Sequence, residues 1–453
     1  MPEIGSAGKT ASRGIGLTAA VAIVVGNMVG TGAFTSLGFQ LEGVSSTSAI
    51  LLLWALGGGV ALCGALSYAE LASVYPRSGG EYHFLGRIFH PMAGFMAGWV
   101  SVTVGFAAPV ALSAMAFGGY ASAAWEGFAG GFGDRATIVP EDGGMALRLA
   151  FGVVLFATAL HGLSVRLGSA FQIAATSLKV VLLAALTAAG LLWGSQPLRV
   201  LPQWEDAGQL WSVPFAVSLV YVMYAYAGWN AACYVAGEFR DARKTVVRGL
   251  VIGTVLVTLL YVLLHAAMLR SAPREALRGE LEVAAVAAGH VLGAAGGTVL
   301  AALIGLGLVS SISAMTWAGP RVAQTMGEDY PPLRFLARKT RGGAPWAALL
   351  LQTAITLLLL MSSTFERVLV YTEFVILLSS AATVLGVFVS RRRHPQLERP
   401  YRLWGYPFTP AVFLAVSGYM LVFLAVNRPQ ESFTGLLTLA GGALLYVITR
   451  VRK

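Results

Sequence analysis

Charged side chains are scarce in this chain: they make up 11% of its 453 residues, whereas a soluble globular protein has about a quarter. Cysteine is scarcer still. Cys63 and Cys233 both fall inside apolar segments, so no disulfide framework is indicated. The short alternating segments of a β-barrel are also missing. Apolar sequence is abundant, with 57% hydrophobic residues and a mean hydropathy of +0.72. This composition predicts an all-α polytopic membrane protein embedded in a lipid bilayer.

Apolar runs of about 20 residues recur from end to end. Twelve spans fit them best, at 15–40, 47–75, 90–119, 147–163, 168–193, 211–237, 247–269, 283–318, 345–362, 366–390, 408–426 and 432–450. No linker long enough to separate soluble domains appears, so we expect one membrane domain over 1–453. The basic segment before Ile15 lacks a cleavage-site pattern and is expected to be a retained tail rather than a signal peptide.

The net charge of +10 is distributed unevenly between the two sides of the membrane. Most lysines and arginines fall in the loops on the side of the amino terminus, including the basic clusters within 240–248, 334–341 and 391–402. This asymmetry follows the positive-inside rule and places both termini in the cytoplasm. The basic charge is therefore an orientation signal, and we exclude nucleic acid as a partner.

Residues 26–34, GNMVGTGAF, place three glycines and two polar residues in the middle of the first span. Each glycine weakens a helix interior by roughly 1 kcal/mol. Backbone groups freed from a helix within a bilayer need a cavity or a bound solute as partner. Glycine also serves as a packing residue in membrane helices, and for a lone pair of glycines packing is the commoner use.

A second interruption, YAYAGWN at 224–230, lies in the sixth span. Paired glycine-interrupted helices in two halves of a chain are typical of a transporter's binding site. The amino end of a half-helix attracts a carboxylate, and the carbonyls at a carboxyl end suit an ammonium group. Two such breaks match the two charges of an amino acid, which is the substrate class that we predict.

Lys179 is placed near the bilayer midplane, about 11 residues into the fifth span. A charged lysine there costs roughly 2.5–3.5 kcal/mol on insertion scales, so it is a functional hypothesis by default. A buried lysine can exchange its proton during a transport cycle. Snorkelling is the alternative, but neither interface is easily reached from the midplane.

Five ordered segments carry a family resemblance, from about Gly14 to the carboxyl end. They are GNMVGTGAF, YAELASVYPRSGGEYHFLGRIF (68–89), YAYAGWNAACYVAGEFRDARKTVVRGL (224–250), AGPRVAQTMGED (318–329) and RPYRLWGYPFTP (399–410). In them the chain resembles the amino acid–polyamine–organocation (APC) transporters. The resemblance implies a LeuT-type 5+5 inverted repeat with broken helices 1 and 6. The first repeat would be 15–193, the second 211–390, and 408–450 would hold two extra helices. It also implies alternating access.

The resemblance also assigns roles to residues of this sequence. The amides that hold the substrate carboxylate would be those of Val29, Gly30, Thr31 and Gly32, and the carbonyls that hold its amine those of Tyr226, Ala227 and Gly228. Trp229 would be a lid, Tyr224 a wall of the pocket, and Asn230 a contact to substrate or to a neighbouring helix. Lys179 would contact first-span backbone and a hydroxyl among Ser310, Ser311 and Ser313, as a proton-coupling site. Thr31 replaces the family's usual serine, which leaves the shape of the pocket open.

Two acidic residues flank the cytoplasmic end of the second span, Glu70 and Glu81. We expect them to anchor the interface or form loop salt bridges, with a cytoplasmic gate as the alternative. Because no acidic residue lies within the two breaks, the expected substrate is a neutral amino acid.

The sequence therefore predicts a secondary active transporter in a bacterial-type plasma membrane, with proton-coupled uptake of neutral amino acids through Lys179. An obligatory exchanger of amino acids or amines, with Lys179 structural, is the alternative on the same scaffold. A non-transporting amino acid sensor is an alternative of another class. HExxH, GxSxG, Cys/His metal spacings and nucleotide loops do not occur in the sequence, so we predict neither an enzyme, nor a cofactor, nor a metal site. Oligomeric state is left open.

Overall fold

The computed structural model describes residues 16–128, 144–163, 165–201, 208–209, 212–236, 239–340, 343–362 and 364–451. The predicted tail before Ile15 and most of the loop after the third span lie outside these ranges. Within them, ten helices are long and apolar enough to cross a membrane. Two shorter apolar helices, Val213–Tyr226 and Trp346–Met361, occupy the positions of the predicted sixth and ninth spans. The all-α polytopic fold is thus confirmed, while the count of twelve stays a prediction.

The helices follow one another in this order: α1 (Leu17–Met28), α2 (Gly32–Gly43), α3 (Thr47–Val74), α4 (Glu81–Ile88), α5 (Pro91–Val100), α6 (Ala107–Phe128), α7 (Gly144–Leu163), α8 (Val165–Trp193), α9 (Val213–Tyr226), α10 (Ala231–Tyr234), α11 (Ala242–Ser271), α12 (Arg274–Leu277), α13 (Val283–Asp329), α14 (Trp346–Ser362), α15 (Phe365–Arg393), α16 (Phe408–Asn427) and α17 (Pro429–Val451).

Two predicted spans differ from continuous α-helices. The third span contains a π-helical turn, Ser101–Gly105, between α5 and α6, and such turns often occur at functional sites. In the eighth span, Gly293 has φ 75° and ψ 173°, so α13 consists of two helical segments. The predicted span 283–318 therefore contains a kink at Gly293.

The first span lies in the middle of the protein because small residues let its neighbours approach. On α11, a Cβ at Gly249 would lie 2.7 Å from Cβ of Ala20, and one at Gly253 would lie 2.6 Å from Cγ1 of Val24. These two glycines are four residues apart and form one face of α11, the small-residue pattern of packed membrane helices. Helix α1 is thereby fixed against α11, and α2 packs against α9.

Glu70 is the centre of a buried ion-pair network that includes two arginines. The carboxylate of Glu70 accepts two hydrogen bonds from Arg391, at 2.8 and 2.6 Å, and lies 3.4 Å from Nε of Arg399. It also accepts the amide of Leu403 at 2.7 Å. These contacts join α3 to the end of α15 and to the loop that follows it, as expected for a residue that anchors the interface.

Candidate functional site

The first break separates α1 from α2. Helix α1 ends at Met28, and Val29 leaves the helix with φ −74° and ψ 86°. The amide of Val29 closes the last turn of α1, and the amide of Gly30 donates to the carbonyl of Met28 at 2.8 Å. Thr31 is the N-cap of α2, and Gly32 is its first residue. Because the first amides of a helix have no intrahelical acceptor, those of Thr31 and Gly32 are the ones available to a ligand.

The second break separates α9 from α10. Ala227 is extended, with φ −56° and ψ 148°, and Gly228 has φ +98°. A Cβ at Gly228 would lie 2.9 Å from the carbonyl oxygen of Asn27. In the other direction, a Cβ at Gly32 would lie 2.5 Å from Cβ of Ala225. The two breaks therefore pack backbone to backbone, and glycine at these positions makes that approach possible.

Tyr261 of α11 joins the carboxyl ends of the two half-helices. Its hydroxyl lies 2.6 Å from the carbonyl oxygen of Met28 and 3.1 Å from that of Ala225, to which it can donate. The ring is fully buried and packs edge-on against Trp54 and, tilted, against Tyr226. The structure thus places Tyr261 behind both breaks.

Lys179 lies behind the first break and is 1% exposed. Its Nζ donates to the carbonyl oxygens of Gly26, at 3.0 Å, and Val29, at 2.5 Å. A third hydrogen bond goes to Oγ of Ser311 at 3.0 Å. All three acceptors are neutral, so the ammonium is satisfied by hydrogen bonds and by the partial negative charge at the carboxyl end of α1.

The three candidate serines of α13 have different partners. Ser311 is hydrogen-bonded to Lys179 and also donates to the carbonyl of Val29 at 3.2 Å. Ser310 pairs with Thr176 at 3.1 Å. Ser313 pairs with Nε2 of His161 at 2.8 Å. Of the three candidates, Ser311 is the one that the structure places at Lys179, because neighbouring residues of a helix face different directions.

A cavity of about 550 Å³ lies in front of the two breaks. Seven of the predicted binding residues line it: Gly30, Thr31, Gly32, Tyr224, Ala227, Gly228 and Asn230. The hydroxyls of Thr31 and Tyr224 are 3.4 Å apart on its wall. A cavity of this size is typical of a small-molecule site.

The other predicted binding residues do not line this cavity within the described ranges. Val29 contributes its carbonyl to Lys179, and Tyr226 donates its hydroxyl to the carbonyl of Trp54 at 2.8 Å. The ring of Trp229 packs edge-on against Tyr68, with centroids 4.7 Å apart, and against Phe413. The predicted lid therefore points towards α3 and α16 in this conformation, where the small residue Gly64 leaves room for it.

In the described part of the chain, the cavity extends from the breaks towards the amino-terminal end of α1. It continues along the amino-terminal half of α1, where Thr18, Ala19 and Ala22 line it. On the opposite side, α2 is sealed against the segment that leads to α13. The amide of Gly279 donates to the carbonyl of Gly38 at 3.0 Å, and a Cβ at Gly38 would lie 2.0 Å from the carbonyl oxygen of Glu280.

Sequence reasoning missed two parts of the cavity wall. The π-helical turn contributes Ser101 and Gly105, followed by Phe106 of the same span. Glu81, at the start of α4, is the one charged residue that borders the cavity in the described part of the chain. It was expected to anchor the interface or to form loop salt bridges, with a cytoplasmic gate as the alternative.

Comparison with known proteins gives consistent matches along the chain. Residues 15–448 match the amino acid permease family. The mouse protein Asc-type amino acid transporter 1 is 27% identical over 440 residues, which cover 96% of this chain and 80% of that protein. Mouse b(0,+)-type amino acid transporter 1 is 28% identical, covering 96% and 87%. Human large neutral amino acids transporter small subunit 2 is 28% identical over 459 residues, covering 99% and 82%.

Proposed function

Because the chain belongs to the amino acid permease family, we propose that it is a secondary active transporter that moves amino acids by alternating access. The observation that supports this proposal is the pair of broken helices, which contact each other at Gly228 and Asn27 and line a cavity. In the plasma membrane, with both termini cytoplasmic, the cavity along α1 would open to the cytoplasm. The repeats 15–193 and 211–390 would interlock, with 408–450 outside them, and one helix bundle would rock against another.

The substrate would lie across the two breaks. We infer that its carboxylate accepts the amides of Thr31 and Gly32, because those of Val29 and Gly30 already donate within the chain. Its ammonium group would donate to carbonyls at the end of α9, at Tyr226, Ala227 and Gly228. The carbonyl ends of the two half-helices are not equivalent, since Lys179 occupies that of α1, whereas Tyr261 contacts both.

Proton coupling would pass through Lys179. The lysine bonds to Gly26, Val29 and Ser311 only as a donor, and it is almost fully buried. A neutral amine has fewer hydrogens to donate, so loss of the proton would weaken the contacts that shape the first break. Proton binding and the geometry of the carboxylate site would thus be linked.

The test is uptake of labelled neutral amino acids into proteoliposomes. We expect an inward proton gradient to drive accumulation without internal substrate, and Lys179→Ala to abolish it. Ser311→Ala is expected to weaken accumulation, while Ser313→Ala, whose hydroxyl pairs with His161, serves as the matched control. Accumulation that is equal with and without the gradient would contradict proton coupling.

An obligatory exchanger is the second candidate, and the contacts of Lys179 favour it as well. Three hydrogen bonds to neutral acceptors also suit a permanently charged lysine that braces α1. An exchanger would take up substrate only into preloaded liposomes, and Lys179→Ala would impair exchange without changing its dependence on pH. Binding of amino acids without uptake in either arrangement would instead indicate the sensor.

A further inference from the structure

A buried carboxylate borders the cavity outside the two breaks. Glu81, the first residue of α4, is 4% exposed and accepts four hydrogen bonds. Its Oε1 accepts from Tyr68 at 2.5 Å, Ser380 at 3.1 Å and Asn230 at 3.2 Å. Its Oε2 accepts from Ser379 at 2.5 Å. All four donors are neutral, and acceptance on both oxygens indicates the ionised form of the side chain.

The nearby Glu70 shows what a purely structural carboxylate looks like in this protein. Glu70 is also buried, but it is paired with the guanidinium groups of Arg391 and Arg399. Arg77, between the two glutamates in sequence, pairs instead with Asp329 at 3.3 Å. In the described part of the chain, Glu81 forms no salt bridge. A buried charge without an opposite charge is costly, which favours a functional role.

The hydrogen bonds of Glu81 join four elements. Tyr68 lies on α3, Ser379 and Ser380 on α15, and Asn230 is the N-cap of α10, two residues after the Gly228 break. The loop before α4 also contacts the other end of α10, where the amide of Gly79 donates to the carbonyl of Tyr234 at 3.2 Å. The bond from Asn230 to Glu81 is therefore a side-chain contact that connects the start of α10 to α4 beside the cavity.

Glu81 is also the one carboxyl group of this cluster in the described part of the chain. The other titratable groups that face it are Tyr68 on α3 and Cys233 and Tyr234 on α10, while α15 contributes hydroxyls. Helix α4 lies outside the apolar spans. Burial raises the pKa of Glu81, and its four hydrogen bonds oppose that change only in part. A protonated carboxyl is itself a donor; the three hydroxyl groups can turn to accept from it, whereas the amide nitrogen of Asn230, the longest of the four contacts at 3.2 Å, can only donate.

We propose that Glu81 is a proton-binding positioning residue, which as a carboxylate holds α10 against α3 and α15, and on protonation releases Asn230 and frees the inner half of the sixth span. The proposal rests on the proposed function, since it requires that α10, which lines the cavity, moves during transport. It adds a second proton-dependent step at a distance from Lys179.

Cys233 offers a direct test, because it lies on α10 and is fully buried. With Cys63→Ala it becomes the last cysteine of the chain, and its labelling by a thiol reagent reports the release of α10. We would measure labelling rates in this parent and in Glu81→Gln, which mimics the protonated acid. Because the charge of Glu81 also acts on the neighbouring Cys233 thiol, each rate is expressed as labelling by a bulky reagent relative to labelling by a small one, which reports the accessibility of the thiol rather than its reactivity.

We expect Glu81→Gln to label faster than the parent at high pH. The two rates should converge as the pH falls, because Glu81 of the parent then becomes protonated. A single proton changes the released fraction by at most about tenfold per pH unit. A ratio of the two variants' rates that does not change with pH would overturn the proposal. Glu328→Gln, which removes an exposed carboxylate, should follow the parent at every pH.

If Glu81→Gln does not fold, Ser379→Ala provides a second test of the proposal. This variant removes the donor to Oε2 and so destabilises the charged form of Glu81. The pH at which labelling accelerates should therefore move upwards relative to the parent, and an unchanged or lower value would overturn the proposal. Labelling needs no substrate, so its outcome is independent of whether uptake is observed in proteoliposomes.

Discussion

Gly30 and Gly228 occupy similar places in the sequence but differ in what the structure demands of them. Gly228 has φ +98°, and a Cβ there would lie 2.9 Å from the carbonyl oxygen of Asn27. At Gly30 the nearest atom to an added Cβ is the carbonyl oxygen of Met28, at 3.9 Å. We therefore expect that a methyl group disrupts the site at Gly228 and is accommodated at Gly30.

We expect Gly228→Ala to abolish amino acid uptake and to lower the melting temperature of the purified protein. The left-handed backbone costs a residue with a side chain about 1–2 kcal/mol, and the methyl group would also push the two breaks apart. Gly30→Ala is the matched control and should retain most of the uptake. Equal losses in both variants would show that the contact between the breaks is not what matters.

Glu282 provides a prediction for pH. It precedes α13, is 2% exposed, and its Oε1 has no hydrogen-bond partner among the described residues. Burial, with a smaller effect from Glu280, raises the pKa of Glu282 to about 7. The folded protein thus favours the neutral acid, so this stabilisation is complete below the unfolded pKa and is lost as the pH rises through about 7.

Glu282→Gln should therefore be more stable than the wild type at alkaline pH. The neutral amide avoids the cost of ionisation, which amounts to at most about 3 kcal/mol for a shift of this size. Melting temperatures in detergent should diverge as the pH rises from the unfolded pKa of about 4.5 to about 7 and should stay apart above it, with the variant higher. A difference of constant size across that range would mean that Glu282 does not titrate there.

At the scale of elements, the carboxyl ends of the two half-helices α1 and α9 contact the same hydroxyl group, that of Tyr261. Tyr261 of α11 contacts the last carbonyls of both, while Lys179 of α8 holds only α1. Since the amides of α2 and the carbonyls of α9 would bind opposite ends of the substrate, their spacing depends on this tyrosine. Its role is to position the two breaks relative to each other.

Tyr261→Phe should raise the substrate concentration for half-maximal uptake on the order of tenfold, because an unsatisfied buried carbonyl costs about 1–3 kcal/mol. Tyr226→Phe also removes a buried hydroxyl, but that hydroxyl bonds to Trp54 of α3. It should affect stability more than apparent affinity. Equal changes in apparent affinity for the two variants would argue against a positioning role for Tyr261.

Some features of these elements could be predicted from the sequence and others could not. Both breaks were predictable, because glycine and polar residues inside an apolar run free backbone groups that must find a partner within the bilayer. The partner of Lys179 could be narrowed only to three serines, since helix rotation decides which of them faces it. Neither the position of Glu81 on the cavity wall nor the orientation of the Trp229 ring could be predicted. Each depends on how a loop or a ring packs against segments distant in sequence.

At the scale of the whole molecule, the protein is closed on one side and open on the other. The cavity follows α1 past Ala22, whereas α2 is sealed at Gly38 against the segment before α13. Alternating access requires that this asymmetry reverse during transport. Residues on α1 and α2 should therefore differ in accessibility, and the side from which they are reached reports the orientation of the chain.

Single cysteines in a background of Cys63→Ala and Cys233→Ala would measure this difference. Ala22→Cys lies on the cavity wall, and Ser36→Cys is a nearly isosteric change at a buried position of α2. A membrane-impermeant thiol reagent should label Ala22→Cys rapidly in inside-out vesicles and slowly in right-side-out vesicles. Ser36→Cys should label slowly in both without substrate. If Ser36→Cys reacts as fast as Ala22→Cys, the seal at Gly38 does not persist in the membrane, and the cavity cannot be the cytoplasm-facing half of an alternating-access cycle.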